Sequence, residues 1–139
     1  MTLKSFVKKY NRASVEDDIT VMSTEAKKFV SDFRSMLRTE MGDGYSVEIK
    51  PGHYDLSGYI TEESTGHILY VNYRIARYGG SIDLTRFDTM NGVLYRASEK
   101  KGGSHDGNNQ FCSVKNLPDC LRGLFERYNK FGKEYVGLR

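Results

Sequence analysis

Tyr45-Ser46-Val47-Glu48-Ile49-Lys50-Pro51-Gly52 alternates apolar with polar side chains for six residues and then meets a proline-glycine pair, the pattern of a half-buried strand running into a turn. Outward from there the alternation resumes through Tyr54, Leu56, Gly58 and Ile60, and the polar tract Glu62-Glu63-Ser64-Thr65-Gly66 marks the next turn. A third run then places Leu69, Val71, Tyr73 and Ile75 on one face and Ile68, Tyr70, Asn72 and Arg74 on the other, because side chains two apart on a strand share a face. The connections are too short for a crossover, so the pairing is antiparallel. Gly92 to Ala97 predicts a fourth strand and Gln110 to Val114 a fifth, separated by the polar tract Ser98 to Asn109, which is expected to be mobile. The stretch 81–91 has irregular apolar spacing and predicts a loop with at most one helical turn.

Helical periodicity brackets these strands. Leu3, Phe6, Val7 and Tyr10 suit a short amphipathic segment ending near Asn11. Ser14 before Glu16, Asp17 and Asp18 then signals a helix start, and Ile19, Met22, Ala26, Phe29, Phe33, Met36 and Leu37 draw an apolar stripe to about Glu40, where Gly42 and Gly44 end it. At the other end Asn116 is a candidate cap and Pro118 suits a first turn. Leu117, Leu121, Leu124, Phe125, Tyr128 and Phe131 form the apolar face that follows. The expectation is an α+β fold in a single domain, 1–139. An antiparallel sheet of about five strands carries the N-terminal and C-terminal helices packed on one face.

Composition narrows the function classes. Hydrophobic residues at 38% and charged residues at 28% are an ordinary globular balance, which excludes wholesale disorder and predicts neither a membrane span nor a signal segment. A cytoplasmic location is the corresponding expectation. Cys112 and Cys120 are too few for a disulfide framework and lack zinc-site spacing, so both are expected as reduced thiols in the core. The net charge of +3 is uneven: residues 1–13 carry +4, residues 115–139 carry +3, and the body between them is −4. Basic ends of this kind are most often solvated helix faces, with nucleic acid or an acidic partner as the functional alternative.

No catalytic or cofactor motif emerges. His53-x-Asp55 and His105-Asp106 set an imidazole beside a carboxylate, but two groups do not make a metal site or an acid-base machine without further ligands from elsewhere. Neither cysteine has the basic, exposed setting of a nucleophile, and the Gly79-Gly80 and Gly102-Gly103 pairs lack the continuation of a nucleotide loop. The expectation is a protein that is not an enzyme and takes no metal or cofactor. The surface with most to offer is the sheet face carrying Tyr70, Asn72 and Arg74, with Arg77 and Tyr78 just beyond the strand. Tyrosines beside arginines supply both protein-binding anchors and stacking planes for single-stranded nucleic acid. Ten tyrosines and no tryptophan tilt slightly toward binding.

The segments Gly52 to Ile60, Gly92 to Ala97 and Phe111 to Leu117, together with Phe6 to Ser14, resemble a group of small proteins carried by phages, plasmids and conjugative elements of Gram-positive gut bacteria. That resemblance implies an antagonist of host defence, similar to anti-CRISPR proteins, which bind a nuclease effector and do no chemistry on it. The +3 charge fits poorly with mimicry of DNA and better with steric or assembly blocking. The expected partner-binding residues are Tyr70, Arg74, Arg77, Tyr78, Lys100, Lys101 and His105. Two alternatives stand beside this: a nucleic-acid-binding accessory protein using the same Tyr/Arg face, and a small hydrolase built around His53 and Asp55.

Overall fold

The computed structural model describes residues 1–11, 18–20, 24–52, 55–77, 81–102 and 107–139. Helix α1 spans Leu3–Tyr10 and α2 spans Thr24–Met41, with a short strand β1, Asp18–Thr20, between them. Strands β2 (Tyr45–Pro51), β3 (Leu56–Glu62) and β4 (Ile68–Tyr73) follow, then two short strands, β5 (Ala76–Arg77) and β6 (Ser81–Asp83). Strands β7 (Val93–Ser98) and β8 (Gln110–Cys112) precede the closing helix α3, Leu117–Phe131.

Five strands form one antiparallel sheet, as the alternation predicted, and their order is β2-β3-β4-β7-β8. Its register sets Val47 opposite Ile60, Ile60 opposite Leu69 and Leu69 opposite Ala97, while Tyr73 lies opposite both Leu56 and Val93. Directly paired residues share a face, so these side chains make one apolar inner face, and each of them is buried. Both long helices touch residues of that face: Phe33 of α2 lies 5.1 Å from the Tyr73 ring and Phe125 of α3 lies 5.2 Å from the Tyr45 ring. Gly58 is on the inner face as well, and a Cβ there would overlap the Glu48 carbonyl oxygen. Close backbone approach explains the missing side chain.

Helix α1 has eight residues, too few to persist alone, and is held by its buried side. Phe6 is completely buried, its ring 5.0–5.9 Å from Tyr10, Phe29, Phe33 and Phe87. Asp32 of α2, 5% exposed, accepts from Tyr10 Oη at 2.7 Å and Lys9 Nζ at 2.8 Å. Burial alone would raise this carboxyl, but those two hydrogen bonds and the charges of Lys9 and Lys28 outweigh it and hold the pKa below the ordinary value.

Three expectations need correction. The helix expected from Ser14 begins only at Thr24, and Asp18–Thr20 is a strand paired antiparallel with β6, Ile19 opposite Ile82. Ile19 and Thr20 are β-branched and suit a strand as well as a helical stripe, so a tertiary pairing decided between the two; Ser14 itself lies outside the described residues. The stretch 81–91 holds β6 and a 3-10 turn at Leu84–Arg86, capped by Asp83 through its hydrogen bond from the Thr85 amide. With β1 and β5, β6 makes a second, three-stranded sheet. Finally, Asn116 does not cap α3; its side-chain amide donates to Ser113 Oγ, and a 3-10 turn at Val114–Asn116 leads directly into the helix. Among the described residues, no helix is long and apolar enough to cross a membrane.

Candidate functional site

The outer face of the five-stranded sheet carries the alternate residues of the same strands: Glu48 and Lys50 on β2, Ser57, Tyr59 and Thr61 on β3, Tyr70 and Asn72 on β4, Arg96 on β7 and Phe111 on β8. Glu48, Tyr59, Tyr70 and Arg96 are consecutive cross-strand partners and form one row. The Tyr59 and Tyr70 rings are 5.6 Å apart, and the Arg96 guanidinium lies 4.7 Å over the Tyr70 ring, within cation-π range. Tyr70 Oη accepts from Asn72 Nδ2 at 3.1 Å, and the same amide nitrogen donates to Asp55 Oδ2 at 2.8 Å. The opposite atom of that amide, Asn72 Oδ1, is buried with no hydrogen-bond partner among the described residues.

The tract after β7 folds back onto this row. Lys101 Nζ reaches Glu48 Oε1 at 2.7 Å, the Gly102 amide donates to Tyr59 Oη at 2.8 Å, and Arg96 Nη1 donates to Asn109 Oδ1 at 3.0 Å. Gly107 lies so close to the Ala97 backbone that a Cβ there would overlap it, and the Asn108 amide donates to the Val136 carbonyl. Both described ends of the tract are thus fastened to the body; residues 103–106 between them lie outside the described residues. The residues that do it, Lys101, Asn108 and Asn109, are polar and short of any periodic pattern, so sequence reading finds no partner for them.

Of the residues expected to bind a partner, Tyr70 sits at the centre of the face. Lys101 joins it through Glu48, and Arg74 stands exposed beyond β4 with its guanidinium 5.5 Å from the Phe111 ring. Lys100 is exposed, its carbonyl accepting from Ser98 Oγ. Arg77 belongs to the other sheet, in β5 opposite Ser81; Tyr78 and His105 lie outside the described residues. The expected list missed Tyr59, Arg96 and Phe111. Tyr59 was legible, since it alternates with Gly58 and Ile60, but Arg96 and Phe111 acquire their neighbours only through the β4-β7-β8 register.

A second polar cluster lies at the β3-β4 turn, around His67. Its Nδ1 is 2.6 Å from Asn129 Oδ1 and its ring stacks on Tyr128 at 3.7 Å. Asn129 Nδ2 in turn donates to Glu62 Oε1, which also accepts from Thr65 Oγ1, while Tyr45 Oη donates to Oε2, each at 2.8 Å. Burial would raise the Glu62 carboxyl; the hydrogen bonds from Thr65, Asn129 and Tyr45 and the nearby His67 hold it lower than usual. Every member is satisfied by another, and the cluster locks a turn to α3. Of the hydrolase pair, His53 lies outside the described residues and Asp55 is engaged by Asn72. Among the described residues no group of three or more metal-ligating side chains converges. Compared with family models, curated proteins and solved structures, the chain has no significant match.

Proposed function

We propose that this chain is a non-enzymatic binding protein that works through the outer face of its five-stranded sheet. On the resemblance to small proteins of phages and mobile elements, its partner is a host defence effector of the nuclease class, inhibited by steric or assembly blocking. The row Tyr59, Tyr70 and Arg96 carries the reading. Tyr and Arg are the side chains that dominate protein interfaces, and here each is held by a neighbour before any partner arrives, so little rotamer entropy remains to be lost. Phe111, 44% exposed beside Arg74, extends the row with apolar area.

The test compares capture by the wild-type protein and by a Tyr70→Ala/Arg96→Ala variant from lysate of a Gram-positive host, each with and without nuclease treatment. The expected result is one effector protein retained by wild type under both conditions and weakened about 30-fold or more by the double variant, as for loss of a hot spot worth about 2 kcal/mol. Equal retention by the variant refutes the surface. Arg96 stacked on Tyr70 also favours a second reading, a single-stranded nucleic acid laid on the sheet. That reading predicts retention abolished by nuclease and a steep loss of affinity with salt.

A further inference from the structure

Strand β2 is the outer strand of the five-stranded sheet, and its free edge is bordered by positive charge. The Gly44 carbonyl accepts from the Glu63 amide, which fixes the alternation: backbone groups of Ser46, Glu48 and Lys50 point at β3, and those of Val47 and Ile49 point outward. Two arginines one helical turn apart on α2 meet those outward carbonyls. Arg34 Nη1 donates to Ile49 O at 3.1 Å and Arg38 Nη2 to Val47 O at 3.3 Å. With Val47, Glu48, Ile49 and Lys50 they line a groove of about 290 Å³. Neither guanidinium nor the Lys50 ammonium is matched with a carboxylate among the described residues. The one acid of the lining, Glu48, is already taken by Lys101.

A guanidinium offers five N–H donors in a planar fork, so pinning one nitrogen on a carbonyl leaves the charge whole and fixes its position. The two anchoring carbonyls are two residues apart on one strand, a separation of about 6.7 Å. That is the repeat at which an extended chain presents its own side chains to one side. We infer that this groove docks an extended acidic segment of a partner protein, running alongside β2 with carboxylates at positions i and i+2 set on Arg38 and Arg34. A second copy of this chain pairing edge to edge would bring the same three cations together, and like charges directly opposed destabilise a strand pair. The groove shares Glu48 and Lys50 with the outer face but none of Tyr59, Tyr70 and Arg96, which carry the outer-face reading, and it stands or falls without that reading.

The experiment is fluorescence anisotropy of the full chain with two blocked, labelled peptides of one composition, Val-Glu-Val-Glu-Val and Val-Glu-Glu-Val-Val. The alternating peptide is expected to bind about tenfold tighter, the equivalent of one charge-assisted contact. Arg38→Gln, at an exposed position, should remove most of that preference, and Tyr70→Ala should leave it unchanged. Equal affinity for the two peptides, no saturable binding of either, indifference to Arg38→Gln, or loss on Tyr70→Ala each overturns the proposal. The comparison of two peptides on the unaltered protein does not depend on any variant folding.

Discussion

Truncating Phe6 to alanine removes a ring that is completely buried and has four aromatic neighbours within 6 Å. A Phe→Ala change at such a site costs about 3–5 kcal/mol, the transfer free energy of the ring plus the cavity left behind. Per-residue unfolding entropy of about 2.1 cal/mol/K gives roughly 0.29 kcal/mol/K for 139 residues. The melting temperature should therefore fall by roughly 10–17 °C. The damage should also be local. With Phe6 gone, α1 retains Lys9 and Tyr10 on Asp32 but loses its main apolar contact, and eight residues are too short to hold helix unaided. Scanning calorimetry reads the first effect, and hydrogen exchange reads the second at the Phe6 and Asn11 amides, which donate to the Thr2 and Val7 carbonyls. Phe6→Leu, which refills most of the space, should lose well under half as much. A fall smaller than about 3 °C, equivalent to about 1 kcal/mol, or α1 amides protected as in wild type, would refute the view that this ring fastens the helix.

Other outcomes follow from single contacts. Tyr73→Phe removes the buried hydroxyl that donates to Phe87 O at 2.5 Å and leaves that carbonyl unpaired; urea unfolding should show a loss of about 1–3 kcal/mol. Gly58→Ala drives a methyl into the Glu48 carbonyl and should cost at least about 1–3 kcal/mol by the same assay; an unchanged midpoint would mean the β2-β3 register is wrong. Asp32 and Glu62 have folded-state pKa values below their ordinary ones, so the stability they contribute is complete above the unfolded carboxylate range and is lost as pH falls below about 4. Asp32→Asn and Glu62→Gln should each flatten the acid limb of a stability-pH curve, and an identical limb in both variants would exclude that linkage. Burial, with the neighbouring Cys120 thiol, pushes the Cys112 thiol up to about 12, so a thiol reagent near pH 8 should label half-buried Cys120 well before Cys112.

The five-stranded sheet was legible because its inner and outer faces differ in chemistry residue by residue: Leu69, Val71 and Tyr73 against Tyr70 and Asn72 leave no choice of register phase. The second sheet was hidden for the opposite reason. Its strands are two and three residues long, too short for the two-residue alternation to repeat, and Ile19 fits a helical stripe as well as it fits its pairing with Ile82. Part of the candidate face was visible in the same way. Tyr70 and Arg74 follow from alternation on one strand, whereas the Tyr70-Arg96 stack and the Lys101-Glu48 pair need neighbours 26 and 53 positions away. The edge arginines carry no signal as a pair of anchors: Arg34 and Arg38 fall outside the apolar stripe of α2, and only the fold brings them to the Ile49 and Val47 carbonyls.

The lock on the β3-β4 turn has a consequence for the order of events during synthesis. Glu62 waits for Asn129, 67 residues later in the chain, and at 5–20 residues per second that interval is roughly 3–13 s. A hairpin closes in microseconds, so β3 and β4 can pair on the ribosome long before α3 exists, with the Glu62 carboxylate still in water. The nascent chain thus passes through a period in which β3 and β4 are complete while the part of the inner face that α3 covers still awaits it, and a pause in translation before residue 129 would lengthen the time that part stands open to chaperones.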